Sequence, residues 1–296
     1  MDAFPTSLAP LAGGHSGETF LAEVAGEQTV VRVYGPRSAR RGPLAPEIDA
    51  AVLDLVRGLL PVPEVLEVRR GDPEVDLPGL LVTSRLPGDR MDLVMTGLEP
   101  EQQTALGTNL GTLLGRLGHM AQPRAGTFAD RALVPQDLPE HLRELPAWVE
   151  RHTASLEASV AEGLLRVAAH ALHLLDADRR TCLVHGDFNA KNLLVDPTTL
   201  AVTGVLDWEF TMAGSPYVDL GNLLRFDRAA PFVDAVVAAY RSFMPSTPHD
   251  LLDRARAADL FALVELAARE DENQVVEAAR HLLAAIAHTG DLHAVG

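Results

Sequence analysis

Cys182-Leu183-Val184-His185-Gly186-Asp187-Phe188-Asn189-Ala190-Lys191-Asn192-Leu193-Leu194-Val195, running on through Asp196-Pro197-Thr198-Thr199 to Val202-Thr203-Gly204-Val205-Leu206-Asp207, is where the reading of this chain turns. Two short apolar runs flank a tetrad of turn formers, a pattern that predicts a β-hairpin. An antiparallel hairpin brings the chain back to its start. Asn192, just before the outgoing strand, and Asp207, just after the returning one, should therefore lie side by side.

That juxtaposition has chemical content. Asn192 and Asp207 offer hard oxygen donors, and magnesium takes only one or two carboxylates from a protein, leaving nucleotide phosphates and water to complete its octahedron. The pair is a candidate Mg2+ site. Asp187 sits on a loop opened by His185-Gly186, within reach of a hydroxyl attacking a terminal phosphate, and is the candidate base. Taken singly, each acid would be a turn cap or a solvated loop end. Taken together, they point to catalysis.

Composition narrows the field. The chain has 296 residues, 47% of them apolar, enough to bury one large core or two coupled lobes. Its 25 Lys plus Arg against 41 Asp plus Glu give a net charge of −16, which repels polyanions and makes nucleic acid an unexpected partner. The start, Met1-Asp2-Ala3-Phe4-Pro5, lacks a basic segment leading into an apolar one. No apolar run approaches the ~20 residues of a membrane span, so the expectation is a cytoplasmic protein with no membrane partner. The lone Cys182 forms no internal disulfide and reads as a small buried strand residue.

The character of the chain changes near Pro87-Gly88. Before it lie β-like runs, Thr29 to Tyr34 and Gly79 to Thr83, and one helical segment, Ala50 to Leu60, ended by Pro61-Val62-Pro63. After it helices dominate. Leu106, Leu110, Leu113, Leu114 and Leu117 recur at helical spacing, as do Leu164, Val167, Ala168, Ala171, Leu172 and Leu175.

The run His185-Gly186-Asp187-Phe188-Asn189-Ala190-Lys191-Asn192 resembles the HGDxxxxN catalytic loop of the aminoglycoside phosphotransferases and choline kinases, relatives of protein kinases. Leu206-Asp207-Trp208-Glu209 resembles their later metal-binding segment, and Gly214-Ser215-Pro216-Tyr217-Val218-Asp219-Leu220 their G-x-P-x-x-D-L continuation. The resemblance implies an α+β, protein-kinase-like two-lobe fold. Residues 1–86 would form a small β-rich nucleotide-binding lobe with its hinge, and residues 87–296 a larger helical lobe carrying the catalytic hairpin and acceptor site. It implies transfer of the terminal phosphoryl of ATP or GTP to a hydroxyl of a small molecule. Asp187 would be the base and Asn192 and Asp207 the Mg2+ ligands. His185, Glu209 and Asp219 would be supporting residues, with His185 shaping the loop and Asp219 bracing it.

The same resemblance reaches the amino-terminal half. Leu11 to Phe20 is similar to the nucleotide-covering loop, with Gly14, Ser16 and Gly17 approaching phosphate oxygens. Arg32 stands where most such enzymes place a phosphate-gripping lysine, and a guanidinium offers a forked grip instead. On a strand between Val31 and Val33 it also reads simply as a solvent-facing residue. Its acidic partner on the following helix would be Asp49 or Glu47. Leu81 to Gly88 resembles the hinge, with the backbone from Ser84 to Leu86 pairing with the purine.

For the acceptor, helical spacing puts Asp271 on the face shared by Leu260, Phe261, Val264, Ala267 and Ala268. There it would line a pocket for an ammonium group together with Glu270, or else Glu270-Asp271-Glu272 lies in water beyond the helix. The charge of −16 agrees with a cationic acceptor, an aminoglycoside or a basic peptide antibiotic of the viomycin and capreomycin type, and hence with antibiotic resistance. A macrolide, a metabolite such as choline or homoserine, a nucleotide-binding pseudokinase and a metal-dependent hydrolase are the competing readings. The expected assembly is a monomer or a homodimer.

Overall fold

In the computed structural model, residues 7–11, 18–24, 26–35, 41–75, 77–138, 144–153, 156–177, 179–270 and 273–296 are described. Five antiparallel strands open the chain: β1 (Ser7–Pro10), β2 (Glu18–Val24), β3 (Glu27–Tyr34), β4 (Val65–Arg69) and β5 (Gly79–Ser84), in spatial order β1-β2-β3-β5-β4. In β5 burial alternates, with Gly79, Leu81 and Thr83 turned inward, as expected of a sheet covered on one face. Arg32 sits in the central strand, opposite Leu81 on one side and Thr19 on the other.

Helix α1 (Ala45–Val56) packs against β4 and β5. It begins five residues before the expected Ala50 and ends before Leu60. Pro46 is tolerated in the first turn, where its missing N–H would have no partner anyway. The helix stops because Arg57 leaves helical backbone angles and Gly58 takes φ +86°, so Pro61-Val62-Pro63 lies beyond the break and does not cause it.

Past Ser84 the chain makes β6 (Asp89–Arg90) and a one-turn helix α2 (Met91–Val94), then α3 (Pro100–Gly118), β7 (Gly126–Phe128), β8 (Pro135–Gln136), α4 (Leu145–Thr153) and α5 (Ala158–Asp176). The strands β9 (Cys182–Val184), β10 (Leu193–Val195), β11 (Val202–Val205) and β12 (Met212–Gly214) follow, then α6 (Tyr217–Leu223), α7 (Ala230–Phe243), α8 (Leu251–Ala267) and α9 (Gln274–Thr289). The hairpin β10–β11 adds β6 to form one small sheet, and β8-β7-β12-β9 forms another.

The leucine stripe of α3 is buried throughout, yet its glycines set the packing distance. A methyl on Gly107 would lie 2.6 Å from the Phe232 carbonyl and one on Gly115 2.6 Å from Phe243 Cβ, so α7 lies almost backbone to backbone on α3. In α5, Leu164, Val167, Ala168 and Ala171 are buried, whereas Leu172 and Leu175 are half-buried and face a cavity. One apolar cluster joins α1, the hairpin, α3, α6 and α7. A second joins α4, α5, α8 and α9. No helix among the described residues is long and apolar enough to cross a membrane.

Candidate active site

The hairpin forms in register, with Leu193 opposite Val205, and the Leu206 N–H donates to the Asn192 carbonyl at 2.8 Å. Its turn is closed by Asp196, whose carboxylate accepts the N–H groups of Thr198 and Thr199. The backbones at Asn192 and Asp207 are thereby brought together. Asp207 has φ 62° and ψ 63°, a left-handed conformation costing a non-glycine residue about 1–2 kcal/mol, and it turns the chain directly into a 3₁₀ turn at Trp208–Phe210.

Asp187 is held from two sides. Asn189 Nδ2 donates to its Oδ1 at 2.7 Å and Asn192 Nδ2 to its Oδ2 at 2.9 Å, the latter amide also bonding the Asp187 carbonyl. The carboxylate thus has a fixed plane. Asn189 is a positioning residue that the motif reading left without a role. Its oxygen accepts the Lys191 N–H, and this Asn cap opening a short turn is the local signal that could have marked it.

His185 is fully buried and both ring nitrogens are engaged: Nε2 lies 2.8 Å from the Leu206 carbonyl and Nδ1 accepts the Asp187 N–H at 3.2 Å. These partners assign a neutral ring with its proton on Nε2. It packs at 4.6 Å on Trp208 and edge-on to Phe188 at 5.8 Å. Asp219, 2% exposed, accepts the backbone N–H groups of His185 and Gly186 at 2.7 and 2.8 Å. Burial pushes its carboxyl pKa up despite those donors. Gly186 takes φ +83°, and a Cβ there would collide with the Phe210 carbonyl.

From the sheet, Arg32 reaches into this cluster, its NH1 on Asp207 Oδ1 at 2.8 Å and its NH2 on Glu209 Oε2 at 2.5 Å. Burial alone would lower its pKa, but the charge of Asp207, followed by further anionic neighbours, holds it above the ordinary arginine value. The expected helix partners do something else. Asp49 binds Arg41 NH2 at 2.5 Å and the Tyr34 hydroxyl at 2.6 Å, while Glu47 pairs with Arg70 at 2.9 Å. The reason is reach: Arg41 and Tyr34 already occupy both Asp49 oxygens, and Asp49 acts on Arg32 as one of the weaker charges in its field.

Where the hinge was expected, the Ser84 N–H donates to the Glu64 carbonyl and its Oγ accepts the Glu64 N–H, so Ser84 is committed to the chain entering β4. Leu86, half-buried, lies past the end of β5, its side chain within a methyl's contact of Gly204 in the hairpin. Gly14, Ser16, Gly17 and Asp271 lie outside the described residues. Glu270 is exposed just past the end of α8.

Beside the loop from His185 to Asn192 opens a cavity of about 1050 Å³, bounded by Gly186, Glu209 and Phe210, by β7 and β12, and by α4, α5, α6 and α8. Asn222 on its wall gives its Nδ2 to the Val218 carbonyl, while its buried Oδ1 has no donor. An unmet buried acceptor of this kind costs roughly 1–3 kcal/mol.

Residues 7–260 match the model of the phosphotransferase enzyme family. The chain belongs to this family. Among solved structures it is similar to an aminoglycoside phosphotransferase in ternary complex with AMP-PNP and hygromycin B (TM-score 0.67, 19% identity, 97% of this chain and 95% of that one). It is similar to the GDP complex of aminoglycoside 2′-phosphotransferase-IIIa (0.70, 17%, 98% and 95%). A third is an aminoglycoside phosphotransferase-like protein from Ralstonia eutropha (0.69, 18%, 97% and 92%). At such identities the likeness is one of fold, and that fold is protein-kinase-like, as the phosphotransferase motifs led one to expect. Among curated proteins, 218 residues are 28% identical to acyl-CoA dehydrogenase family member 10 of Mus musculus and 113 residues are 27% identical to family member 11 of Homo sapiens. The chain spans only 20% and 14% of those proteins' lengths.

Proposed function

We propose that this phosphotransferase moves the terminal phosphoryl group of ATP or GTP onto a hydroxyl of a small molecule. The observation that carries the reading is the Asp187 carboxylate clamped between Asn189 and Asn192, with the hairpin returning Asp207 beside them. A carboxylate so fixed accepts the hydroxyl proton while the alkoxide oxygen bonds phosphorus and the bond to the nucleoside diphosphate breaks.

The donor set fits Mg2+. The Asn192 amide nitrogen is spent on Asp187, which leaves its oxygen, and Asp207 Oδ1 accepts from Arg32 NH1, which leaves Oδ2. Among the described residues there is no group of three or more His, Cys, Asp or Glu able to cage a metal, and two oxygens suit a cation whose shell is completed by phosphates. Bound there, magnesium would offset charge on the transferring phosphoryl group. Arg32, on the same carboxylate, would take a phosphate oxygen in exchange. Asp219 holds the loop that carries Asp187, and His185, neutral and doubly bonded, is its spacer.

The solved relatives supply support for a nucleotide co-substrate, since their structures hold AMP-PNP, ADP and GDP. Two of these also hold hygromycin B, and a net charge of −16 suits a cationic antibiotic acceptor and a resistance role. For the acceptor itself, the chemistry of the cavity wall is a closer guide than net charge. Arginine at position 32, with Asp49 on the following helix held by Arg41 and Tyr34, favours one second reading, a nucleotide-binding module without transfer.

Asp187→Asn should retain Mg-nucleotide binding within about threefold and lower transfer by roughly 10²–10⁴, the usual worth of a positioned base. Asp207→Ala should lose both. Calorimetric titration with Mg-AMP-PNP and a single-turnover assay with ATP and GTP separate the two, and undiminished transfer by the Asp187 variant would refute the assignment.

A further inference from the structure

We infer that the acceptor of this enzyme is a bulky, predominantly apolar alcohol with little or no net charge, seated in the cavity beside Gly186. The inference rests on the phosphotransfer reading for the fate of the hydroxyl, though occupancy of the cavity does not. Three observations lead to it.

The first is the wall. Phe128 and Met212 from the β7 and β12 strands, Trp148 from α4, Leu172 from α5, Phe261 from α8 and Phe210 beside the catalytic loop give it an apolar surface. Trp148 spends its Nε1 proton on the Phe261 carbonyl at 2.8 Å and packs at 4.0 Å against His152, so it brings apolar surface and no spare donor to the wall. At about 1050 Å³ the space is at the upper end of small-molecule sites, roughly 300–1,000 Å³, so it suits a body of many carbon atoms.

The second is the charge balance. Arg41, Arg179 and Arg180 are matched in number by Asp176, Glu209 and Glu265 among the described lining residues. Arg41 is paired with Asp49, and Glu209 with Arg32. Recognition of a polycation needs a surplus of carboxylates on the wall, and here the signs cancel. The acidity of the chain lies elsewhere.

The third is Phe210. It follows Glu209 directly and is 54% exposed, although it lines the cavity and its carbonyl and Cβ lie against Gly186. An aromatic group left in water at the mouth of an apolar cavity is one that a ligand covers. Asn222, with its unmet Oδ1 on the same wall, supplies an acceptor for a single polar hydrogen.

The test uses the full chain and a neutral apolar fluorophore, N-phenyl-1-naphthylamine, whose emission rises in apolar surroundings. Saturable enhancement is expected, reversed by 1-decanol and not by hygromycin B. Phe210→Ser should weaken fluorophore binding about fivefold through loss of one aromatic contact, with the urea midpoint unchanged. Glu265→Gln should leave it within about twofold, as an exposed carboxylate with no ion to meet contributes little. With ATP or GTP and magnesium, mass spectrometry should detect decyl phosphate. Absence of saturable enhancement would overturn the inference, as would displacement by hygromycin B that weakens in high salt and disappears in Glu265→Gln. Displacement by 1-decanol without phosphate transfer to any alcohol would sink the phosphotransfer reading and leave the cavity's preference for apolar alcohols in place.

Discussion

Replacing Asp219 by Asn tests the idea that a buried carboxylate organises the catalytic loop from behind. Its oxygens accept the N–H groups of His185 and Gly186 at 2.7 and 2.8 Å in a position 2% exposed. Hydrogen bonds to a charged acceptor contribute roughly 1.5–3 kcal/mol each. Asn keeps the shape but offers one carbonyl, so one bond loses its charge assistance and the other becomes a confrontation of two donors. Against this, the variant is spared the desolvation that pushes the Asp219 carboxyl up. The net loss should be about 2–3 kcal/mol, a factor of roughly 30 or more in the folded ratio. Since the same backbone carries Asp187, the turnover number should fall about tenfold or more while the Michaelis constant for the acceptor moves little. Urea unfolding followed by tryptophan fluorescence, with steady-state kinetics on the same preparation, measures both. A loss below about 0.5 kcal/mol with unchanged turnover would refute the reasoning.

The other expectations are simpler. Arg32→Lys should weaken Mg-nucleotide binding about tenfold by calorimetry, because an ammonium cannot hold Asp207 and Glu209 in one fork; unchanged affinity would show that the fork is dispensable. Gly111→Ala should lower stability by about 1–2 kcal/mol despite the better helix propensity of Ala, since its methyl would meet the Val236 carbonyl and sit 2.9 Å from Ala239 Cβ. A rise in the urea midpoint would contradict that packing. Cys182, 1% exposed, has its thiol pushed up to about 12 by burial and then by the charge of Asp219. The folded state therefore favours the protonated thiol: its contribution is complete below the ordinary 9.0 and is lost as pH climbs towards about 12. Iodoacetamide at about pH 8 should accordingly label Cys182 only after denaturation, as judged by intact mass.

What the sequence alone determined was local. The hairpin, the loop carrying Asp187 and Asn192, and the return of Asp207 beside them follow from turn chemistry and spacing within one short stretch, where few alternative pairings compete. The leucine stripe of α3 was legible for the same reason, since helical period is a local property. Other features were decided only by the tertiary structure, because they depend on residues far apart in the chain. Arg32 meets Asp207 across 175 positions, and Asp49 is taken by Arg41 and Tyr34, so the partner suggested by helix order is not the one that reach and occupancy select. Glycines 107, 111 and 115 give no local signal of their own, yet set the distance of α7 because a missing side chain shows its value only when another backbone arrives. Leu172 and Leu175, written as core by their period, line a cavity because the tertiary packing of α5 leaves that edge of the stripe uncovered. The cavity's balanced charges belong to five separate elements and turns, which is why net composition could not report them. Spacing specifies which groups can act, and packing specifies what they act upon.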